Sequence, residues 1–107
     1  MSYQVRYTDK AESDLASLDN SQARQVRKLI TKVSENPLPK HEGGYGTPLG
    51  NKQGHNLTGC LKIKLRKLGI RVVYRVIRDN EIMKIIVIAA RADEEVYEIA
   101  TARLKAK

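Results

Sequence analysis

The sequence predicts an α+β fold: an N-terminal strand, a helical hairpin packed on a mainly antiparallel sheet of about four strands, and a C-terminal helix. Three observations predict it. Leu61, Ile63 and Leu65 alternate with Lys62, Lys64 and Arg66, the period of a strand with one buried and one cationic side. Earlier, Ala11, Leu15 and Leu18, then Ala23, Val26, Ile30 and Val33, recur at spacings of three and four, as amphipathic helices do. Finally, Ile82 to Ala90 is apolar apart from Lys84, as a central strand buried on both faces would be.

Ser2 to Tyr7 alternates around Tyr3, Val5 and Tyr7 and reads as the first strand. Thr8 is placed to cap a helix reaching about Leu18, with Asp9 and Glu12 in the first turn, where the helix dipole favours negative charge. Asp19-Asn20-Ser21 breaks and recaps the chain. A second helix then runs from about Ser21 to Glu35, with Leu29 beside its apolar stripe, and Asn36-Pro37 ends it. Leu38 to Gly59 carries most of the glycines, two prolines and both histidines, and reads as a long loop. Lys67-Leu68-Gly69 turns the chain into a strand from Ile70 to Arg78. Its Ile70, Val72, Tyr74 and Val76 share one face, and Arg71, Val73, Arg75 and Ile77 the other. After Asp79-Asn80, strict alternation through the last strand groups Arg91 with Met83, Ile85, Val87 and Ala89. Asp93 caps a final helix from about Glu94 to Leu104.

The chain has 107 residues, enough for a single domain spanning 1–107, and a net charge of +8. The charge is uneven. Residues 1–60 hold eight Lys or Arg against six acids, and residues 61–107 hold twelve against six. Seven cations fall between Lys62 and Arg78 with no acid among them, so the expected partner is an anion: nucleic acid or an acidic protein segment. No apolar run of about 18 residues predicts a membrane span, and the start lacks the basic and apolar regions of a secretory signal. The lone cysteine, Cys60, forms no internal disulfide and reads as a small buried hydrophobe in a reducing cytoplasm.

The residues also exclude chemistry. No nucleophile adjoins a base, no carboxylates pair, and His41 and His55 lack neighbours at metal-ligand spacing, so neither a metal nor another cofactor is expected. Gly46 to Lys52 superficially resembles a phosphate loop but lacks the Gly-Lys-Ser/Thr run. What remains is Lys62, Lys64, Arg66, Arg71, Arg91 and Tyr97. Cations can stabilise charge developing on a phosphate, and RNA carries its own nucleophile, the 2′-hydroxyl. Crowding among Lys62, Lys64, Arg66 and Arg71 is expected to lower a lysine pKa toward that of a base. The residues alone leave nucleic-acid binding, acidic-peptide binding and RNA cleavage open, beside the plainer reading of a solvated cationic sheet face.

The run CLKIKLRKLGIRVVYRVI, followed after a turn and an apolar strand by Arg91 and, six residues on, Tyr97, resembles the RelE toxins of bacterial toxin–antitoxin modules. The similarity extends over nearly the whole chain, although the Leu38–Gly59 connection is longer than in that family. The resemblance implies a cytoplasmic, metal-independent endoribonuclease that cleaves mRNA in the ribosomal A site. It assigns Lys62 and Lys64 to activation of the 2′-hydroxyl, Arg71 to the phosphate, Arg91 to the leaving oxygen and Tyr97 to stacking on a substrate base. Arg66, with Lys67 and Arg75, would make further RNA contacts. It also implies a cognate antitoxin, through which alone operator DNA would be met. The alternatives are a ParE-like toxin that inhibits gyrase without cutting RNA, which shares the fold but does not need the cationic set this chain carries in full, and a non-catalytic nucleic-acid-binding relic.

Overall fold

The chain builds five strands and three helices in a computed structural model that describes residues 2–52 and 54–105. Met1, Gln53, Ala106 and Lys107, which the expected 1–107 domain includes, lie outside the described residues. In order, the elements are β1 (Gln4–Tyr7), α1 (Asp9–Ala16), α2 (Asn20–Val33), β2 (Thr47–Lys52), β3 (His55–Leu65), β4 (Ile70–Ile77), β5 (Ile82–Ala89) and α3 (Asp93–Lys105). The sheet order is β1-β5-β4-β3-β2, with β1 parallel to β5 and every other pair antiparallel. None of the described helices is long and apolar enough to cross a membrane.

The caps form where the side-chain chemistry places them. The Thr8 hydroxyl accepts from the Ala11 N–H at 3.2 Å and donates to the Ile85 carbonyl at 3.0 Å, so one residue starts α1 and ties it to β5. Asp19 accepts from the Gln22 N–H at 2.8 Å at the head of α2. The sheet has two covered faces. On one, Ala11, Leu15, Val26, Ile30 and Val33 of the hairpin pack against Ile63, Ile70, Val72, Tyr74, Met83 and Ile85. On the other, Val96, Tyr97 and Ala100 of α3 cover Leu57, Cys60, Val73, Ile86 and Val87.

Two expectations are corrected. Leu38–Gly59 is not one irregular loop, because Thr47–Lys52 is a fifth strand and β3 begins at His55. Pro48 and Gly50, both poor strand formers, hide β2 in the sequence. Nor does β5 alternate strictly. Tyr74 pairs with Ile85 but Val73 pairs with Val87, so Ile86 is an extra residue in a β-bulge. Met83, Ile85 and Ile88 therefore face the hairpin, while Ile86 and Val87 face α3. Arg91 consequently does not belong with Met83 and Ile85.

Beyond Tyr7 the β1 side of β5 has no strand beside it among the described residues, and its backbone groups need other partners. Asp14 and Arg103 supply them. Asp14 Oδ2 accepts from the Ile88 N–H at 3.0 Å, Arg103 donates to the Ile86 carbonyl at 2.8 Å, and the two side chains join through bonds of 2.6 and 3.0 Å. Both are mostly buried. Asp14→Ala is expected to cost about 2–3 kcal/mol, because it leaves the mostly buried Arg103 without its counter-ion and the Ile88 amide without a partner. Urea unfolding checks this, and Asp14→Ala/Arg103→Ala should lose clearly less than the two single losses added together.

Candidate functional site

Register decides which cations meet. Lys64 pairs across β3–β4 with Arg71, which pairs with Ala89. Lys62 lies opposite Val73, which pairs with Val87. Paired residues share a face, so Lys62, Lys64 and Arg71 stand on the α3 side of the sheet. The bulge at Ile86 brings the end of β5 to the same side, and Arg71 donates to the Arg91 backbone carbonyl.

The first turn of α3 completes the cluster. Asp93 and Tyr97, one helical turn apart, point together at β3. Lys62 Nζ donates to Asp93 Oδ2 at 3.1 Å and to the Tyr97 hydroxyl at 3.0 Å, and lies 5.5 Å from the Tyr97 ring centroid. Arg71 Nε donates to the other oxygen of Asp93. One carboxylate thus bridges two cations whose side chains are largely buried.

These contacts settle the protonation of Lys62. Burial works against its ammonium, but the bonds to Tyr97 and Asp93 outweigh it and hold the pKa above the ordinary lysine value. The expected lowering through crowded cations does not occur at Lys62, because Asp93 stands among them. Burial also opposes the Asp93 carboxylate, yet hydrogen bonds from Lys62 and Arg71 hold its pKa below the ordinary range. Lys62 is therefore a fixed cation that donates hydrogen bonds.

The other expected residues are placed unequally. Lys64 is exposed on the same face. The Arg91 guanidinium is turned to Glu95 at 3.1 Å, with 60% of its side chain exposed, a pair worth at most about 0.5 kcal/mol and readily exchanged for a better anion. Tyr97 is only 5% exposed, so its ring is part of the second core and its hydroxyl positions Lys62. Arg66 and Lys67 are exposed in the 3-10 turn Arg66–Leu68 that follows β3. Arg75 stands apart, lining a cavity with Thr8, Lys84 and Arg103 near the far end of α3. Sequence reasoning missed Asp93 as a member of the site. Its spacing of four from Tyr97 on a helix was the available signal. Among the described residues, no group of three His, Cys, Asp or Glu could hold a metal ion.

Comparison with known proteins follows the same outline. The family model for the ParE toxin of the type II toxin–antitoxin system parDE matches residues 5–95. An Escherichia coli protein named as RelE-like is 30% identical over 105 residues, covering 98% of this chain and 100% of that protein. The mRNA interferase toxin RelE of Escherichia coli K12 is 29% identical over 104 residues, covering 97% and 99% respectively. A mutant Escherichia coli toxin RelE, solved in complex with an antitoxin peptide, is 27% identical with a TM-score of 0.70, covering 94% of this chain and 95% of that one.

The Asp93 bridge has a pH signature. Its stabilisation should be complete between about pH 3.9 and 10.4, the ordinary Asp and Lys values. It should fade in acid as pH falls through the lowered Asp93 pKa, and in alkali as pH rises through the raised Lys62 pKa. Thermal melts of the protein and of Asp93→Asn should differ near neutrality and converge in acid. An acid-independent gap would contradict the bridge.

Proposed function

The chain belongs to the ParE toxin family of type II toxin–antitoxin systems and is a RelE-like toxin, and from that membership we propose that it is a ribosome-dependent mRNA endoribonuclease. Residues 1–107 act as one toxin domain in the cytoplasm, cutting the message in the A site and so stopping translation. A relative named mRNA interferase supports the activity, and RelE solved with an antitoxin peptide supports a cognate antitoxin for this chain. The observation that carries the reading is the carboxylate held between Lys62 and Arg71 on a face shared with Lys64. That place already holds an anion.

A scissile phosphate carries the same single charge as Asp93 on two non-bridging oxygens, so it can take that carboxylate's place on Lys62 and Arg71. The message's 2′-oxygen attacks the adjacent phosphorus, forming a new P–O bond as the P–O5′ bond breaks. The products are a 2′,3′-cyclic phosphate and a 5′-hydroxyl. Lys62, held protonated, and Arg71 stabilise charge on the non-bridging oxygens. Lys64, which forms none of the ion pairs among the described residues, takes the 2′ proton when it stands as the free amine. Arg91 leaves its exposed pair with Glu95 and hydrogen-bonds the departing 5′-oxygen, which takes its proton from solvent water in the same concerted step. Tyr97 contributes by orienting Lys62, and Arg66 and Lys67 hold flanking RNA. No step draws on a metal ion.

Programmed ribosomes, mRNA and the purified protein in chelator test this, with the cut ends mapped. Cleavage in the A site leaving a cyclic phosphate is expected. Lys64→Ala and Arg71→Ala should each slow it by about a hundredfold or more, and Tyr97→Phe by about tenfold, the loss of one hydrogen bond that positions Lys62. Intact message together with gyrase-dependent DNA damage would overturn the assignment in favour of a ParE-like action.

A further inference from the structure

Past Thr47, the outer edge of β3 has no strand beside it among the described residues. A cavity of about 410 Å³ opens there between that edge and the C-terminal half of α2, within the range of small-ligand sites. Five cations line it, Lys32, Lys40, Lys62, Lys64 and Arg66, and no acid does among the described residues. Its floor is apolar, made by Leu29, Val33 and Ile63. Tyr45 stands at its rim, 43% exposed, one of two large hydrophobic residues left open on the described surface.

The backbone that carries Tyr45 is fixed. The Tyr45 N–H donates to the Asn36 carbonyl at 3.0 Å and the Gly46 N–H to the Leu38 carbonyl at 3.1 Å, while the Lys40 N–H donates to the Gly46 carbonyl at 2.8 Å. The glycines on either side allow this closeness. A Cβ on Gly44 would lie 2.0 Å from the Leu38 carbonyl oxygen, and one on Gly46 2.2 Å from the Tyr74 hydroxyl. Glu42 anchors the loop to the end of β4 by two 2.8 Å bonds to Arg78. An exposed aromatic on so constrained a loop is neither core nor chance collapse. The Lys32 ammonium approaches its ring at 5.8 Å, the outer limit of a cation–π contact and easily displaced.

We infer that Tyr45 and the cations beside it form a nucleotide subsite, in which one base of single-stranded RNA stacks on the Tyr45 ring while its phosphates rest on Lys32, Lys40 and Arg66. The cavity shares Lys62 and Lys64 with the site above, so this subsite takes a nucleotide flanking the cleaved bond. The inference rests on the endoribonuclease reading only in naming that strand as message. Stacking suits the aromatic because every base offers a π-face. An acidic peptide would use the cations and leave the ring without a purpose. The subsite also supplies the open aromatic surface that the buried Tyr97 does not.

A fluorescent 2′-O-methyl hexaribonucleotide, which has no 2′-hydroxyl to attack, tests the subsite by equilibrium anisotropy. Tyr45→Ala should weaken binding about tenfold, and Tyr45→Phe should bind as the parent does. Lys32→Ala/Lys40→Ala should lower the salt dependence by about 0.7 units of slope per lysine, the single-strand value. Unchanged melting temperatures would exclude misfolding. Equal binding by Tyr45→Ala, an equal loss in Tyr45→Phe, or an effect of Tyr45→Ala on a polyglutamate peptide alone would each overturn the subsite. The cleavage assay separates the two readings. A protein that leaves programmed message intact but loses oligonucleotide affinity in Tyr45→Ala keeps the subsite and loses the nuclease. One that cleaves, and whose Tyr45→Ala variant binds and cleaves unchanged, does the reverse.

Discussion

Everything proposed for the cationic face depends on where α3 lies, and an ion pair fixes that helix at each end. At its N-terminus Asp93 bridges Lys62 and Arg71, and near its C-terminus Arg103 grips Asp14. Acid at the start and base at the end also suit the helix dipole. The two anchors differ in kind. The Asp14–Arg103 pair is mostly buried and closes the backbone of β5, so losing it costs more than one contact. Asp93 is more exposed, and its partners would accept any well-shaped anion. The helix is therefore fastened permanently at one end, while the contact at the other is of the kind a substrate can take over.

The chain's positive charge is thus not a row of repelling ammonium groups. At the site one carboxylate offsets part of it, shared between Lys62 and Arg71, and that acid comes from the far end of the sequence. That arrangement reduces the cost of holding those two cations close together on a sheet. It also keeps Lys62 charged and its position set by two hydrogen bonds, which suits a group meant to meet a phosphate.

Local rules made much of this legible. Thr8 and Asp19 cap helices because their side-chain oxygens reach the first free amides. The Lys-Ile-Lys alternation puts its lysines on one face because strand geometry allows nothing else. Long-range facts were not legible in the same way. The parallel pairing of β1 with β5 joins residues about 78 positions apart and leaves no periodic trace. β2 is held by its neighbour despite Pro48 and Gly50, and the rigidity around Tyr45 comes from hydrogen bonds and close approaches that composition does not encode. Asp93 was read as the cap of α3, yet it is the helix's first residue and its carboxylate lies on Lys62 and Arg71, a partnership with the sheet that only the placement of α3 creates.

The bulge in β5 was the hardest feature to read, because a run of isoleucine, valine and methionine looks the same at either parity. Its consequence concerns editing and comparing this stretch. Between Ile82 and Ala89, removing a pair of residues preserves the side on which the chain emerges, whereas removing a single one exchanges the two sides, with almost no change in hydropathy. An alignment that gains or loses one residue here would look harmless and yet send Arg91 to the wrong wall of the sheet.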